Sequence, residues 1–204
     1  MTAIIAHRPA RARDTAVLVL AAGASRRLGR PKQLVRLRCE PLVLRAVHAA
    51  ASLAPLWIGV VVGARAARVV AALGGADVVI VRARRWREGL AASLAAGVQR
   101  VPRRARRLLV MTVDQWRVEG RDLARLLAAP GRSPAAAADG GRLGVPAVFP
   151  RRLWPALLRL RGDRGARELL EHGPATAVPM PAAGADLDTP AELAAVRAAR
   201  GRSR

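Results

Sequence analysis

Apolar residues in this chain fall in short unbroken runs, and between the runs lie longer stretches where Ala and Leu are interspersed with Arg. Runs of this length suit strands covered on both faces, and the longer stretches carry the spacing of helices with one apolar side. "TAVLVLAA" (15–22), "LWIGVVVG" (56–63), "ADVVIV" (76–81) and "RLLVMTVD" (107–114) read as four strands. "PLVLRAVHAAASLA" (41–54), "ARAARVVAAL" (64–73), "GLAASLAAGVQR" (89–100) and "GRDLARLLAA" (120–129) read as the helices that follow them. Pro41 opens the first of these helices, and Pro130 with Gly131 stops the last.

The second half is less regular. "GVPAVFP" (144–150) and "ATAVPM" (175–180) read as strands, "RRLWPALLRL" (151–160) and "GARELLEH" (165–172) as helices. Thr189, Pro190 and Glu192 form a capping box with Pro at the first helical position, which opens a final helix over "AELAAVRAAR" (191–200). The alternation predicts one three-layer α/β/α domain over residues 15–200, built on a mostly parallel sheet. Residues 1–14 are expected to be a disordered basic extension, and 201–204 to fray as well.

At 52% hydrophobic, a chain of 204 residues can bury a core without disulfides. The single cysteine, Cys39, gives no sign of an oxidising compartment, so a cytoplasmic location is expected. "MTAIIAHRPARARDT" has too short an apolar stretch for a signal peptide, and every later run is broken before the roughly 18 apolar residues of a membrane helix. The net charge of +22 invites a polyanionic partner. Against nucleic acid stand the even spread of the arginines and an aromatic content of 2%, too low to supply stacking platforms. The charge is better suited to steering small anions toward a cleft.

In sheets of this kind ligands sit at the carboxyl ends of the strands. That rule selects Asp114, which ends the fourth strand, and the loop after the first, "LAAGASRRLGRPKQ" (20–33). Gly23, Ser25 and Gly29 leave backbone N–H groups free to converge on an anion, and Arg26, Arg27, Arg30 and Lys32 surround them with charge. The spacing is that of neither common phosphate loop. On the residues alone, the loop is either a phosphate cradle or a plain turn in an arginine-rich protein. Lys32 is the one lysine of the chain, which favours the cradle.

The stretch L-A-A-G-A-S-R-R-L-G-R-P-K resembles the signature L-A-A-G-x-S-x-R-x-G-x-x-K of the MobA-like nucleotidyltransferases, the family that includes the molybdenum cofactor cytidylyltransferases and guanylyltransferases. "WREGLAASLAAG", "VDQW", "GGRLGVPAVFP", "LRGDRGARELL" and "DLDTPAEL" are similar to later segments of the family, in the same order. The resemblance runs over residues 15–198, and "GDRGAR" and "DLDTP" place it nearer the cytidylyltransferase branch.

The resemblance implies a Rossmann-like fold of the nucleotide-diphospho-sugar transferase type. It implies transfer of a nucleotidyl group, with CTP as donor, molybdopterin as acceptor and Mg²⁺ as cofactor. The nucleotide would be held by Leu20, Ala21, Ala22, Gly23, Ala24 and Ser25, by Arg27 near the outer phosphates, and by Gly89, Leu90 and Ser93 around the base. Lys32 would lie between the α-phosphate and the incoming phosphate. Asp114 would bind metal and count with Arg27 and Lys32 as catalytic. A second metal ligand would come from Asp188, preferred over Asp186. Gly141, Gly144 and Pro146 would face the acceptor, with Asp163 and Arg167 shaping that loop. Two positions depart from the family: Trp116 where relatives carry Pro, and Val145 where many carry His. The acceptor is therefore the more open question.

The transferase reading also implies a molybdoenzyme or chaperone as protein partner; rival readings are a sugar-phosphate or other metabolite nucleotidyltransferase of the same fold, and a noncatalytic nucleotide- or cofactor-binding protein. His7, His48 and His172 lack ligand spacing, so no zinc site is expected. Ser25 has no His partner for a hydrolase triad.

Overall fold

Every residue of the strand Thr15–Ala21 is buried, as a strand paired on both edges and covered on both faces must be. In the computed structural model, which describes residues 12–163, 165–171 and 173–201, this strand is β1. After it come a small hairpin, β2 (Arg36–Leu37) and β3 (Glu40–Pro41), then β4 (Trp57–Val62), β5 (Val79–Arg82), β6 (Arg107–Thr112), β7 (Ala135–Asp139), β8 (Arg142–Pro150) and β9 (Thr176–Pro179). The helices are α1 (Leu42–Ala51), α2 (Ala66–Ala71), α3 (Leu90–Val98), α4 (Gly120–Ala128), α5 (Trp154–Arg159), α6 (Arg167–Glu171) and α7 (Pro190–Gly201).

Seven strands form one sheet in the order β5-β4-β1-β6-β8-β7-β9. The first four are parallel, β8 runs antiparallel to both its neighbours, and β9 is parallel to β7. Alternation along β1 divides the core: Val17, Val19 and Ala21 face one side, Ala16, Leu18 and Leu20 the other. The first side is covered by α1, α2 and α4 through residues such as Val43, Val69 and Leu123. The second is covered by α3, α5 and α6 through Leu94, Leu157 and Leu170. This is the mostly parallel, three-layer fold that the sequence predicts. Among the described residues, no helix is long and apolar enough to cross a membrane.

The element boundaries differ in instructive ways. β7 was not expected, because its Ala-Ala-Ala-Ala-Asp sequence has helical rather than strand propensity. Pairing with β8 and β9 overrides that preference and leaves Ala135, Ala136 and Ala137 almost fully buried. The signal that could have found it is the turn: Gly140 and Gly141 both have positive φ, 54° and 79°, as a tight two-residue hairpin requires. The third strand starts three residues later than read, and α1 begins at Leu42 with Pro41 as its N-cap. The final helix has the expected capping box: the Thr189 amide donates to Glu192 Oε2 at 2.8 Å, and the Glu192 amide to Thr189 Oγ1 at 3.3 Å.

The expected disorder of residues 1–14 falls, for 1–11, outside the described residues, as does the fraying of 202–204. For residues 12–14 it is corrected. Ala12 is fully buried in the core beside α4, and the Asp14 carboxylate accepts from the largely buried Arg107 guanidinium at 3.2 Å.

Candidate active site

The site forms where β1 and β6 end side by side. Leu20 pairs with Thr112 at the last register position, so the loop after β1 and the segment Val113–Gln115 after β6 leave the sheet together. A cavity of about 390 Å³ lies over them. Leu20, Ala21, Ala22, Gly23, Ala24 and Ser25 line one side, Gly89, Leu90 and Ser93 another, and Lys32 and Asp114 the floor. All eleven of these were singled out in the sequence, and the fold brings them to one place.

The loop owes its shape to local contacts. Ser25 adopts φ of 54°, and its Oγ accepts the Lys32 amide at 3.0 Å, which folds the loop back on itself. Lys32 opens a single 3₁₀ turn, Lys32–Leu34, that sends its side chain to the strand ends. The opposite wall is set by Gly89, whose φ is 111° and where a Cβ would stand 2.3 Å from the Gly162 carbonyl. That approach lets the Ala91 amide donate to the Gly162 oxygen at 3.0 Å, joining the start of α3 to the loop that carries Asp163.

The charges converge. Lys32 Nζ donates to Asp114 Oδ2 at 2.8 Å and also to Asp188 Oδ1, while Arg27 donates to Asp188 Oδ2 at 2.5 Å. Burial by itself would lower the Lys32 pKa, but the charges and hydrogen bonds of Asp114 and then Asp188 outweigh it and the net shift is upward. Asp186 is exposed at the rim, yet partial desolvation first, and then Asp114 and Asp188, push its carboxyl up to about 6. The Lys32 ammonium, with the Arg27 guanidinium on Asp188, offsets part of the repulsion among three neighbouring carboxylates.

These carboxylates fit a hard divalent cation. Asp114 Oδ1 is buried without a hydrogen-bond partner, an acceptor whose desolvation nothing yet offsets. Among the described residues, no three His, Cys, Asp or Glu side chains are grouped closely enough to hold a metal by themselves. Magnesium sites of this type use one or two carboxylates and complete their shell with water and substrate phosphates.

A second cavity, of about 500 Å³, adjoins the first and shares Leu20, Leu90, Thr112, Asp114 and Asp163 with it. Asp139, Arg142, Arg167 and Asp186 surround it, with Gly144 and Val145 from β8. Of the acceptor-side residues expected, Gly144 lines this cavity and the other two do not: Gly141 sits at the hairpin tip and Pro146 is buried within β8. Arg27 likewise stays outside the first cavity, highly exposed and paired with Asp188, while its neighbour Arg26 lines the wall.

Several lining residues escaped the sequence reading. Trp86, with Arg87 stacked 4.6 Å from its ring centroid, lines the first cavity, and Asp139 comes from the unexpected β7. Gln33 and Gln115 fall at the end of "LAAGASRRLGRPKQ" and within "VDQW", yet nothing in those patterns gives either a role. Trp116 occupies the family's Pro position as a buried ring packed with Leu28, Leu37 and Leu187, and so belongs to the support of the loop. His48 is exposed and bonded to Glu40 at 2.6 Å; His7 and His172 lie outside the described residues.

Solved structures resemble the chain over nearly its whole length. A Mycobacterium sp. strain JC1 homologue of Mycobacterium tuberculosis Rv0371c shares 26% identity at a TM-score of 0.81, covering 94% of this chain and 100% of its own. A nucleotidyl transferase from Methanothermobacter, Mth528, shares 25% identity at 0.79, covering 93% and 99%. Rv0371c of M. tuberculosis H37Rv, in complex with manganese, shares 28% at 0.74, covering 90% and 97%. No curated protein matches. The model of the MobA-like NTP transferase domain matches residues 17–178, and with the loop, strand ends and carboxylates placed as above, the chain belongs to that family.

Proposed function

We propose that the protein transfers CMP from CTP to the phosphate of a small acceptor, molybdopterin being the favoured one, and releases pyrophosphate. The observation that carries this reading is the Lys32 ammonium held between Asp114 and Asp188 at the mouth of the β1 loop. The first cavity suits a nucleoside triphosphate. Ala22–Ser25 line it, where their backbone N–H groups would cradle the phosphates, and Ser93, only 4% exposed, and the half-exposed Leu90 would border the base. The second cavity, joined to the first at Asp114, suits the acceptor, with Arg142 and Arg167 available to its phosphate and Asp139 and Asp163 to its hydrogen-bond donors.

In the transfer an acceptor phosphate oxygen attacks the α-phosphorus, and the bond to the pyrophosphate oxygen breaks. No protein nucleophile is needed, so the work is positioning and charge neutralisation. Lys32 lines the first cavity and bonds Asp114, which lines both, so it can follow the charge from the attacking oxygen to the α-phosphoryl group. Arg27, on an exposed side chain, can leave Asp188 for the outer phosphates. Asp114 and Asp188 would hold Mg²⁺, which when bound neutralises the triphosphate and orients the leaving group. The manganese complex of the M. tuberculosis relative supports a divalent cation here.

The test is pyrophosphate release from CTP, GTP and ATP in turn, with Mg²⁺ and molybdopterin. CTP-selective release that disappears in Asp114→Ala supports the assignment. Release only with a sugar phosphate as acceptor would replace molybdopterin, and nucleotide binding without metal-dependent turnover would make the protein a binder.

A further inference from the structure

Two glutamines stand in the walls of the two cavities, Gln33 in the first and Gln115 in the second, and both are nearly sealed from solvent at 1% and 7% exposure. They are built alike. The Gln33 amide nitrogen donates to the carbonyl oxygens of Ala21 at 2.9 Å and Gly23 at 2.7 Å, which straddle the turn from β1 into its loop. The Gln115 amide nitrogen donates to the carbonyl oxygens of Val145 at 2.5 Å and Ala183 at 3.2 Å. Those two carbonyls belong to β8 and to the segment leading to Asp186 and Asp188, both in the wall of the second cavity.

In each case the amide oxygen is buried without a partner. A buried acceptor left unpaired is costly, and an apolar side chain of the same length would avoid that cost. What an apolar side chain cannot supply is two N–H donors aimed at two carbonyls from one rigid amide. The contacts of Gln33 lie 10 and 12 residues away, within the donor loop, while those of Gln115 reach 30 and 68 residues, across the acceptor wall. The two sets share no partner.

We propose that Gln33 and Gln115 are positioning residues that set the two substrate walls separately: Gln33 fixes the phosphate loop, and Gln115 fixes the acceptor wall to the end of β6. The inference rests on the assignment of the first cavity to the nucleotide and the second to the acceptor. Each acts through backbone carbonyls and leaves the reacting atoms to other groups.

The experiment compares full-length Gln33→Met and Gln115→Met, substitutions that keep length and volume but remove the donors. With two hydrogen bonds removed, Gln33→Met raises the KM for CTP about ten-fold and leaves the acceptor KM unchanged; Gln115→Met does the reverse. Titration of CTP without acceptor repeats the split, weakening only in Gln33→Met. Equal movement of both constants in both variants, or a lowered Tm with neither constant moved, overturns the proposal. If a Met variant does not fold, Gln→Asn at the same position carries the same expected split, since the shortened amide no longer reaches its carbonyls.

Failure of the functional assignment looks different. If the unmodified protein turns over no acceptor, hydrogen exchange still reads the two walls. Exchange rising in residues 143–147 and 181–186 only in Gln115→Met, and in residues 21–29 only in Gln33→Met, upholds the separation; exchange rising in both walls in both variants refutes it.

Discussion

The two walls of the cleft are made in different ways. The phosphate-loop side of the wall proposed for the nucleotide is local: Ser25, Lys32 and Gln33 fold the loop after β1 onto that loop and strand, over separations of 7 to 12 residues. The acceptor wall is assembled from β6, the β7–β8 hairpin and the segment before α7, which are distant in the chain and meet only in the folded sheet. A loop built from one continuous segment holds a fixed phosphate geometry for any substrate with the same phosphates. A wall built from several segments can change its acceptor by changing a hairpin, without disturbing the phosphate loop.

Lys32 lines the first cavity and bonds Asp114, which lines both, and its removal is expected to give the largest effect. Lys32→Ala is expected to lower kcat by about 10²–10³, as loss of a pre-positioned charge does, with both substrates still bound. Pyrophosphate release against both substrate concentrations checks this, and a loss confined to one KM would assign Lys32 to one wall alone. Removing divalent metal with a chelator should abolish release equally, with recovery on adding Mg²⁺ or Mn²⁺.

Leu94 of α3 lies in the core away from both cavities' linings, fully buried in one cluster with Leu18, Leu20 and Phe149. Leu94→Ala should cost about 2–5 kcal/mol in chemical denaturation while leaving both KM values in place. Gly89→Ala is more selective. Its Cβ would meet the Gly162 carbonyl, so the start of α3 must move, at roughly 1–3 kcal/mol, and CTP binding should weaken with it. The smallest effect is expected from Arg142→Ala at the exposed rim of the acceptor wall: an acceptor KM raised about three-fold, with CTP affinity unaffected. An equal change in CTP affinity would erase the distinction between the walls.

Legibility followed the same division. Ser25, Lys32 and Asp114 could be read from the sequence because strand, loop and strand end are local patterns, and the family resemblance named them in order. The family signature assigns Arg27 to the nucleotide cradle, and in the structure its long exposed side chain lies against Asp188. Gly141 and Pro146 were placed beside the acceptor by a motif, whereas the hairpin turns one out to its tip and buries the other. β7 was invisible because alanine carries no strand signal, and its pairing partners supply what its composition lacks.

The sequence by itself determined the parallel half of the sheet and marked the glycine-rich loop after β1 and the strand-end Asp114 as candidates, because these follow from hydrophobic period, glycine placement and short-range spacing. Only the tertiary structure decided that Lys32 bridges Asp114 and Asp188, across 82 and 156 residues. It also decided that the buried Gln115 amide donates to the carbonyls of Val145 and Ala183, across 30 and 68 residues. Such contacts depend on which strands become neighbours, and that choice is made by the packing of the whole sheet, with no local period to record it.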